Sequence, residues 1–201
     1  MTDATAPGVP APLPGAVPAD PRPEAPADGA GALPCDLQTG RSGEAAALAL
    51  HLKLVRNLDE VVLQREHRPP LYDSLCGRLS TGTAARKLGA GYDILAPGQR
   101  VCPYHFHHAQ EEMFVILEGC GSLRVAGELL PLRAGDVVFI PPGPEYPHQI
   151  INTSDAPMRY LSISTQERPE VCEYPDSNKL SVSGHGAYLA AEGVDYWQGE
   201  P

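Results

Sequence analysis

The sequence predicts an all-β protein, an antiparallel sandwich or barrel built from the middle of a 201-residue chain. Three observations predict it. Short apolar segments recur at roughly ten-residue spacing. Gly, Pro, Asn or other polar residues close each of them. Beyond one short stretch near the start, no segment shows helical periodicity. The 22 Pro and 20 Gly make up about a fifth of the chain, well above the usual ~12%, so turns, a disordered segment, or both are called for.

In chain order, residues 1–34 hold nine Pro, nine Ala and no aromatic residue. Such a composition cannot bury enough apolar area to offset chain entropy, and it predicts a disordered Pro/Ala-rich tail. Residues 35–52 form a lead-in segment in which Gly43 to Leu52 has helix-forming composition. From Lys53 the pattern shortens toward alternation, and LKLVRNL, LCGRLST and YDILAPG read as strands. The clearest run, Glu112 to Leu117, is followed by SLRVAG, DVVFIPPG, HQIIN and RYLSIST. These segments place the barrel at 53–165. The extension 166–201 is polar but keeps Tyr174, Tyr188, Tyr196 and Trp197, so it is expected to be partly ordered and to pack on the barrel or on a second subunit.

Fifteen basic and 25 acidic residues give a formal charge of −10, which repels polyphosphates and anionic membranes and argues against a nucleic-acid or membrane partner. The opening MTDATAPG lacks the basic start of a secretory signal. Ala45 to Leu50, the longest apolar run near the N-terminus, is far short of the ~20 residues that span a bilayer. Five widely spaced cysteines without a CxxC pair fit reduced thiols, so a cytoplasmic location is expected.

Chemistry concentrates in PYHFHHAQEEMF and DVVFIPPGPEYPHQIIN. On an extended strand, residues i and i+2 share a face with Cα atoms about 6.6 Å apart, so His105 and His107 can reach one ion while His108 faces away. A second strand begins at Glu111 or Glu112 and brings a carboxylate beside them, and His148 arrives later. Three imidazoles and one carboxylate suit Fe, Mn, Ni, Co or Zn, with two octahedral positions open.

These residues resemble the two motifs of the cupin superfamily: Gly98, His105, His107, Glu112 and Gly119 in the first, and Gly135, Pro141, Gly143, His148 and Asn152 in the second. The spacing to Gly119 selects Glu112 over Glu111. Two loops are longer than the family pattern, by one residue before His105 and two before His148, and loop insertions are tolerated cheaply. Fifteen residues between the motifs resemble the single-domain bacterial form, and NLDEV and PEVCEYPDSNKL resemble an uncharacterised bacterial subgroup.

The resemblance implies one double-stranded β-helix, or jelly-roll, barrel. It also implies one divalent transition metal per chain on His105, His107, Glu112 and His148, a small-molecule ligand and a homodimer. Parity from Glu112 and His148 places Phe114, Ile116 and Ile150 on the inner face as pocket wall or core. Asn152 is expected to cap a turn, Cys102 to miss the ion by parity, and His51, His67 and His185 to face solvent. Candidate acid–base groups Tyr104, Tyr146 and Glu111 are not oriented by sequence.

Fold alone selects no reaction. The basic residues Arg86, Lys87, Arg100, Arg124 and Arg133 are scattered, which favours a dioxygenase over a sugar-phosphate isomerase or epimerase; a non-catalytic metabolite sensor is the third reading.

Overall fold

The alternating segments form strands, and their pairing builds two facing layers. The computed structural model describes residues 41–183 and 186–189. A helix, α1 (Arg41–Leu54), and a 3-10 turn at Leu58–Glu60 precede the strands. These are β1 (Gln64–Arg68), β2 (Tyr72–Arg78), β3 (Leu88–Leu95), β4 (Phe106–His107), β5 (Glu112–Glu118), β6 (Cys120–Val125) and β7 (Glu128–Arg133). They continue as β8 (Val137–Ile140), β9 (His148–Ile151), β10 (Met158–Thr165), β11 (Val171–Tyr174), β12 (Lys179–Val182) and β13 (Gly186–Leu189).

One layer is a six-stranded antiparallel sheet in the order β1-β2-β3-β10-β5-β8. The other consists of β7-β6-β9 and β13-β12-β11-β4, joined by a single residue pair. His105 N donates to His148 O at 3.1 Å and His148 N donates to His105 O at 2.7 Å. The seam between the two halves of this layer is therefore made by two histidines. Leu95, Phe114, Ile116, Met158 and Tyr160 from the first layer meet Leu123 and Ile150 from the second in the core. The architecture is the expected double-stranded β-helix.

Three segments differ from the sequence reading. Lys53 to Leu58 is not a strand: α1 runs to Leu54, and the Asn57 side chain accepts from Asp59 N at 3.0 Å to cap the turn that follows. A local side-chain bond of this kind gives the backbone an alternative to a ladder. β1 has no apolar alternation because it is an exposed edge strand, carrying charge instead; its Arg65 grips Asp73 through two bonds of 2.7 and 2.8 Å. Beyond Thr165, β11 pairs with β4 at Cys172↔His107 and Glu173↔Phe106, so the second layer continues past the expected end of the barrel.

Turn chemistry sets the corners. Gly119 sits at φ 80° between β5 and β6, and a Cβ there would lie 2.7 Å from the Pro157 carbonyl, so glycine is required twice over. Asn152, fully buried, closes the turn after β9 with bonds to Leu95, Ser154 and Ala156, as a turn cap should. No helix among the described residues is long and apolar enough to cross a membrane. The tail 1–34, His185, Tyr196 and Trp197 lie outside the described residues.

Candidate metal centre

The centre is assembled at the seam. His105 precedes β4 and His107 ends it, so both project to the inner face while Phe106 between them is buried on the opposite side. Glu112 opens β5 in the facing layer, and His148 opens β9. All four predicted side chains converge. Glu112 Oε2 lies 2.8 Å from His148 Nε2, 3.4 Å from His107 Nε2 and 3.8 Å from His105 Nε2. The His105 ring centroid is 5.0 Å from that of His107 and 4.6 Å from that of His148.

Hydrogen bonds fix which nitrogen faces inward. His105 Nδ1 contacts Pro103 O at 2.9 Å and His148 Nδ1 contacts Tyr146 O at 3.2 Å. A carbonyl only accepts, so both rings carry the proton on Nδ1. His107 Nδ1 likewise donates to Glu170 Oε1 at 3.2 Å. The Nε2 atoms are then left to face Glu112: ligand atoms of His105, Glu112 and His148 lie within 4.8 Å of one another, and those of His105 and His107 form a second such group with Cys172. Glu112 Oε2 and His148 Nε2 are both buried with no hydrogen-bond partner, 2.8 Å apart, an arrangement that a proton on His148 or a cation bound by both atoms would satisfy.

Burial and the two carboxylates pull the groups of this centre in different directions. Burial, helped by the neighbouring His148, pushes His105 down to about 4, so it stays neutral. At Glu112 burial works against ionisation, but His107 and His148 outweigh it and hold the carboxyl far below the usual range. His107 also feels burial, yet Glu112 and Glu170 raise it. Imidazole nitrogens plus a carboxylate are the donor set of a borderline divalent ion: His105 is neutral as it stands, His107 would give up its proton to such an ion, and the residues present fit one.

A cavity of about 270 Å³ opens beside the imidazoles, lined by Cys102, His105, His107, Glu170, Cys172 and Tyr174, with Gln110, Ser181 and Ser183 at its margin. The Tyr174 ring stacks over His105 at 6.0 Å. The cavity does not include Phe114, Ile116 or Ile150, which the sequence reading offered as pocket wall or core. They belong to the apolar core, in one cluster with Leu95, Leu123, Met158 and Tyr160. Phe114 still backs the site, its ring 5.6 Å from that of His148.

Other candidates fall away from the centre. His108 Nε2 meets Glu173 on the exposed side at 2.8 Å, and His51 and His67 face solvent. Cys102 Sγ lies 3.8 Å from His105 Nδ1, the nitrogen turned away from Glu112. Tyr104 is buried with its hydroxyl near Gly127 N, while Glu111, Tyr146, Arg86 and Lys87 are exposed. The sequence reading missed Glu170, Cys172 and Tyr174 as site residues, naming Cys172 only as a reduced thiol and Tyr174 only as a packing residue. Their period-two spacing in PEVCEY was the available signal, since it puts all three on one face of a strand.

The family described as "Cupin domain" matches residues 91–164. The matched stretch runs from within β3 to near the end of β10 and contains both histidine motifs. A relative from Methanocaldococcus jannaschii, called an uncharacterised protein, is 37% identical over 60 residues, 30% of this chain and 46% of the relative; the match thus spans about half of that relative's length. Among solved structures, a candidate sugar phosphate isomerase from Acidithiobacillus ferrooxidans superposes with a TM-score of 0.63 at 22% identity, covering 71% of this chain and 97% of the other. A sugar phosphate isomerase of the cupin superfamily from Silicibacter pomeroyi gives 0.60 at 24%, covering 70% and 92%. A predicted oxalate decarboxylase from Thermotoga maritima gives 0.51 at 26%, covering 57% and 100%. The first two likenesses concern the fold.

Proposed function

We propose that this chain is a cupin and a metal-dependent dioxygenase: His105, His107, Glu112 and His148 hold one divalent Fe, Mn, Ni, Co or Zn ion against a small-molecule substrate, with iron or another redox-active ion serving the reaction. The observation that carries the reading is the gathering of three imidazole Nε2 atoms within 3.8 Å of Glu112 Oε2 beside an open cavity. When bound, the ion supplies Lewis acidity and, if redox-active, one-electron chemistry toward dioxygen. The chain does the rest. His105 stays neutral because it is buried, Tyr174 and the two serines offer hydroxyls to a polar substrate, and the Phe114 face keeps water from behind His148. The described cavity lining carries no Lys or Arg, which favours an uncharged or chelating substrate over a phosphorylated one.

Lys179 supports a second reading. Its Nζ lies 5.5 Å from the ring of Tyr174, a residue that lines the cavity, and would serve the phosphate of a sugar in an isomerase or epimerase. Oxygen uptake by the Fe(II)-loaded protein against catechols, diketones and thiols tests the first reading. Uptake coupled to product supports it; aldose–ketose exchange of phosphorylated sugars without uptake overturns it in favour of the second. Metabolite binding without turnover of either kind would make the protein a sensor.

The outer face of the six-stranded sheet supports a homodimer. Phe139 faces Met113, and Met113 faces Ile163, while Val137, Val115 and Leu161 form the next row. Phe139 is 66% exposed on β8, the edge strand. A contiguous apolar patch on an uncovered edge is self-complementary under two-fold symmetry. The free thiols of Cys76, Cys102, Cys120 and Cys172 support a cytoplasmic setting.

A further inference from the structure

We propose that Glu170 is a positioning residue of the metal centre, fixing the tautomer of His107 and the spacing between His107 and Glu112. The proposal rests on the reading of His105, His107, Glu112 and His148 as ligands. Glu170 lies outside both sequence motifs, yet it is only 5% exposed and its two oxygens meet four donors. Oε1 accepts from His107 Nδ1 at 3.2 Å and from His108 N at 3.1 Å; Oε2 accepts from Ala109 N at 3.2 Å and Gln110 N at 2.9 Å.

Three successive backbone amides aimed at one carboxylate make an anion nest. No Lys or Arg among the described residues pairs with Glu170, so these N–H groups carry its charge. Two consequences follow for the ligands. An Nδ1–H committed to a carboxylate leaves the Nε2 lone pair bare, aims the ring, and raises its basicity as a ligand. His108, Ala109 and Gln110 also make up nearly the whole link between His107 and Glu112, so the carboxylate that clamps them sets how far apart the two donors sit.

The clamp comes from outside the loop, 63 residues away. Strand β11 delivers it: Cys172 pairs with His107, and His108 N donates to Val171 O at 2.9 Å. The C-terminal segment therefore completes a centre whose ligands all lie before it. A carboxylate that only capped the turn would have no reason to share an oxygen with the ring of a ligand.

The test uses full-length protein labelled with ¹⁵N-histidine, as wild type, Glu170→Gln and Glu170→Ala. Ring nitrogen shifts are read metal-free, well above the ordinary imidazole pKa of ~6.5, and Co(II) affinity is then measured by titration. The expected result is a pure Nδ1–H tautomer at His107 in the wild type. In Glu170→Ala the preference is lost and the Co(II) dissociation constant rises ~10- to 100-fold. Glu170→Gln, close in shape, folds and weakens binding as well, because its amide N–H₂ faces backbone N–H groups. Unchanged tautomer and affinity in both variants, with only the melting temperature lowered, overturns the proposal and leaves the ligand reading intact. A wild type that binds no Co(II) overturns both.

Discussion

Glu112 Oε2 and His148 Nε2 face each other across 2.8 Å, both buried and neither hydrogen-bonded. With His148 neutral, the two are acceptors that repel unless a cation binds both; with a proton on His148 Nε2 they are an ion pair. Glu112→Gln should therefore have opposite effects in the two states of the centre. Metal-free, above the imidazole range of ~6.5, the new amide can donate to His148 Nε2, satisfying an orphaned atom worth ~1–3 kcal/mol, so the melting temperature should rise or hold. With metal, an anionic ligand is gone. Saturation at 100 times the dissociation constant stabilises the wild type by about 2.7 kcal/mol, and the variant should lose most of that increment. Calorimetric melting of both proteins with and without Co(II) reads the result; a variant destabilised equally in both states would show that no ion belongs there.

Asn152 predicts a loss without a metal component. Its Nδ2 donates to Leu95 O at 3.1 Å and Ala156 O at 2.8 Å, and its Oδ1 accepts from Ser154 N and Oγ at 3.0 and 2.7 Å. Alanine leaves buried groups unpaired at ~1–3 kcal/mol each, so Asn152→Ala should cost about 3 kcal/mol. For a chain of this size that lowers the melting temperature by roughly 6–12 °C. A shift within ~1 °C would mean the turn is held by something other than this side chain.

What the sequence disclosed follows from what leaves a local trace. The ligands His105, His107, Glu112 and His148 were readable because each strand presents alternate residues to one side, and two short motifs carry all four. The strands β5, β6, β8, β9 and β10 were readable for the same reason. Pairing leaves no such trace. β4 is two residues long and exists because β11 lies against it, and Glu170 matters through partners 60 residues and more away. β1 is exposed on every residue and β7 on all but Leu132, so neither writes an apolar alternation; both are edge strands, specified by register with a neighbour.

Phe139 tests the outer face of the sheet. It stands 66% exposed opposite Met113, in a field of aliphatic side chains. Placing a charge there should cost the monomer little, since the site is already wet, but a symmetric pair would bury that charge twice. Phe139→Asp should turn a dimer into a monomer in light scattering while leaving the melting temperature of the monomer and its metal content unchanged. A wild type that is monomeric at high concentration removes the dimer reading.

Asp93 gives the stability a predictable pH dependence. It sits on β3 facing inward, 5% exposed, with Ser162 Oγ donating to Oδ2 at 2.7 Å and Cys76 and Tyr160 opposite in register. Burial raises its pKa, and the bonds from Ser162 and Cys76 together with the Arg78 charge only partly offset this. Between the ordinary carboxyl value of ~3.9 and the raised one, the folded chain holds a proton that the unfolded chain has released. Stability from this group is therefore lost as pH rises through the folded pKa. Asp93→Asn keeps the acceptor for Ser162 and removes the charge. The variant should melt higher than the wild type at neutral pH, and the gap should close as pH falls toward ~4. Melting curves across that range decide it: an asparagine variant less stable at neutral pH would mean that the ionised carboxylate is itself a required partner inside the barrel.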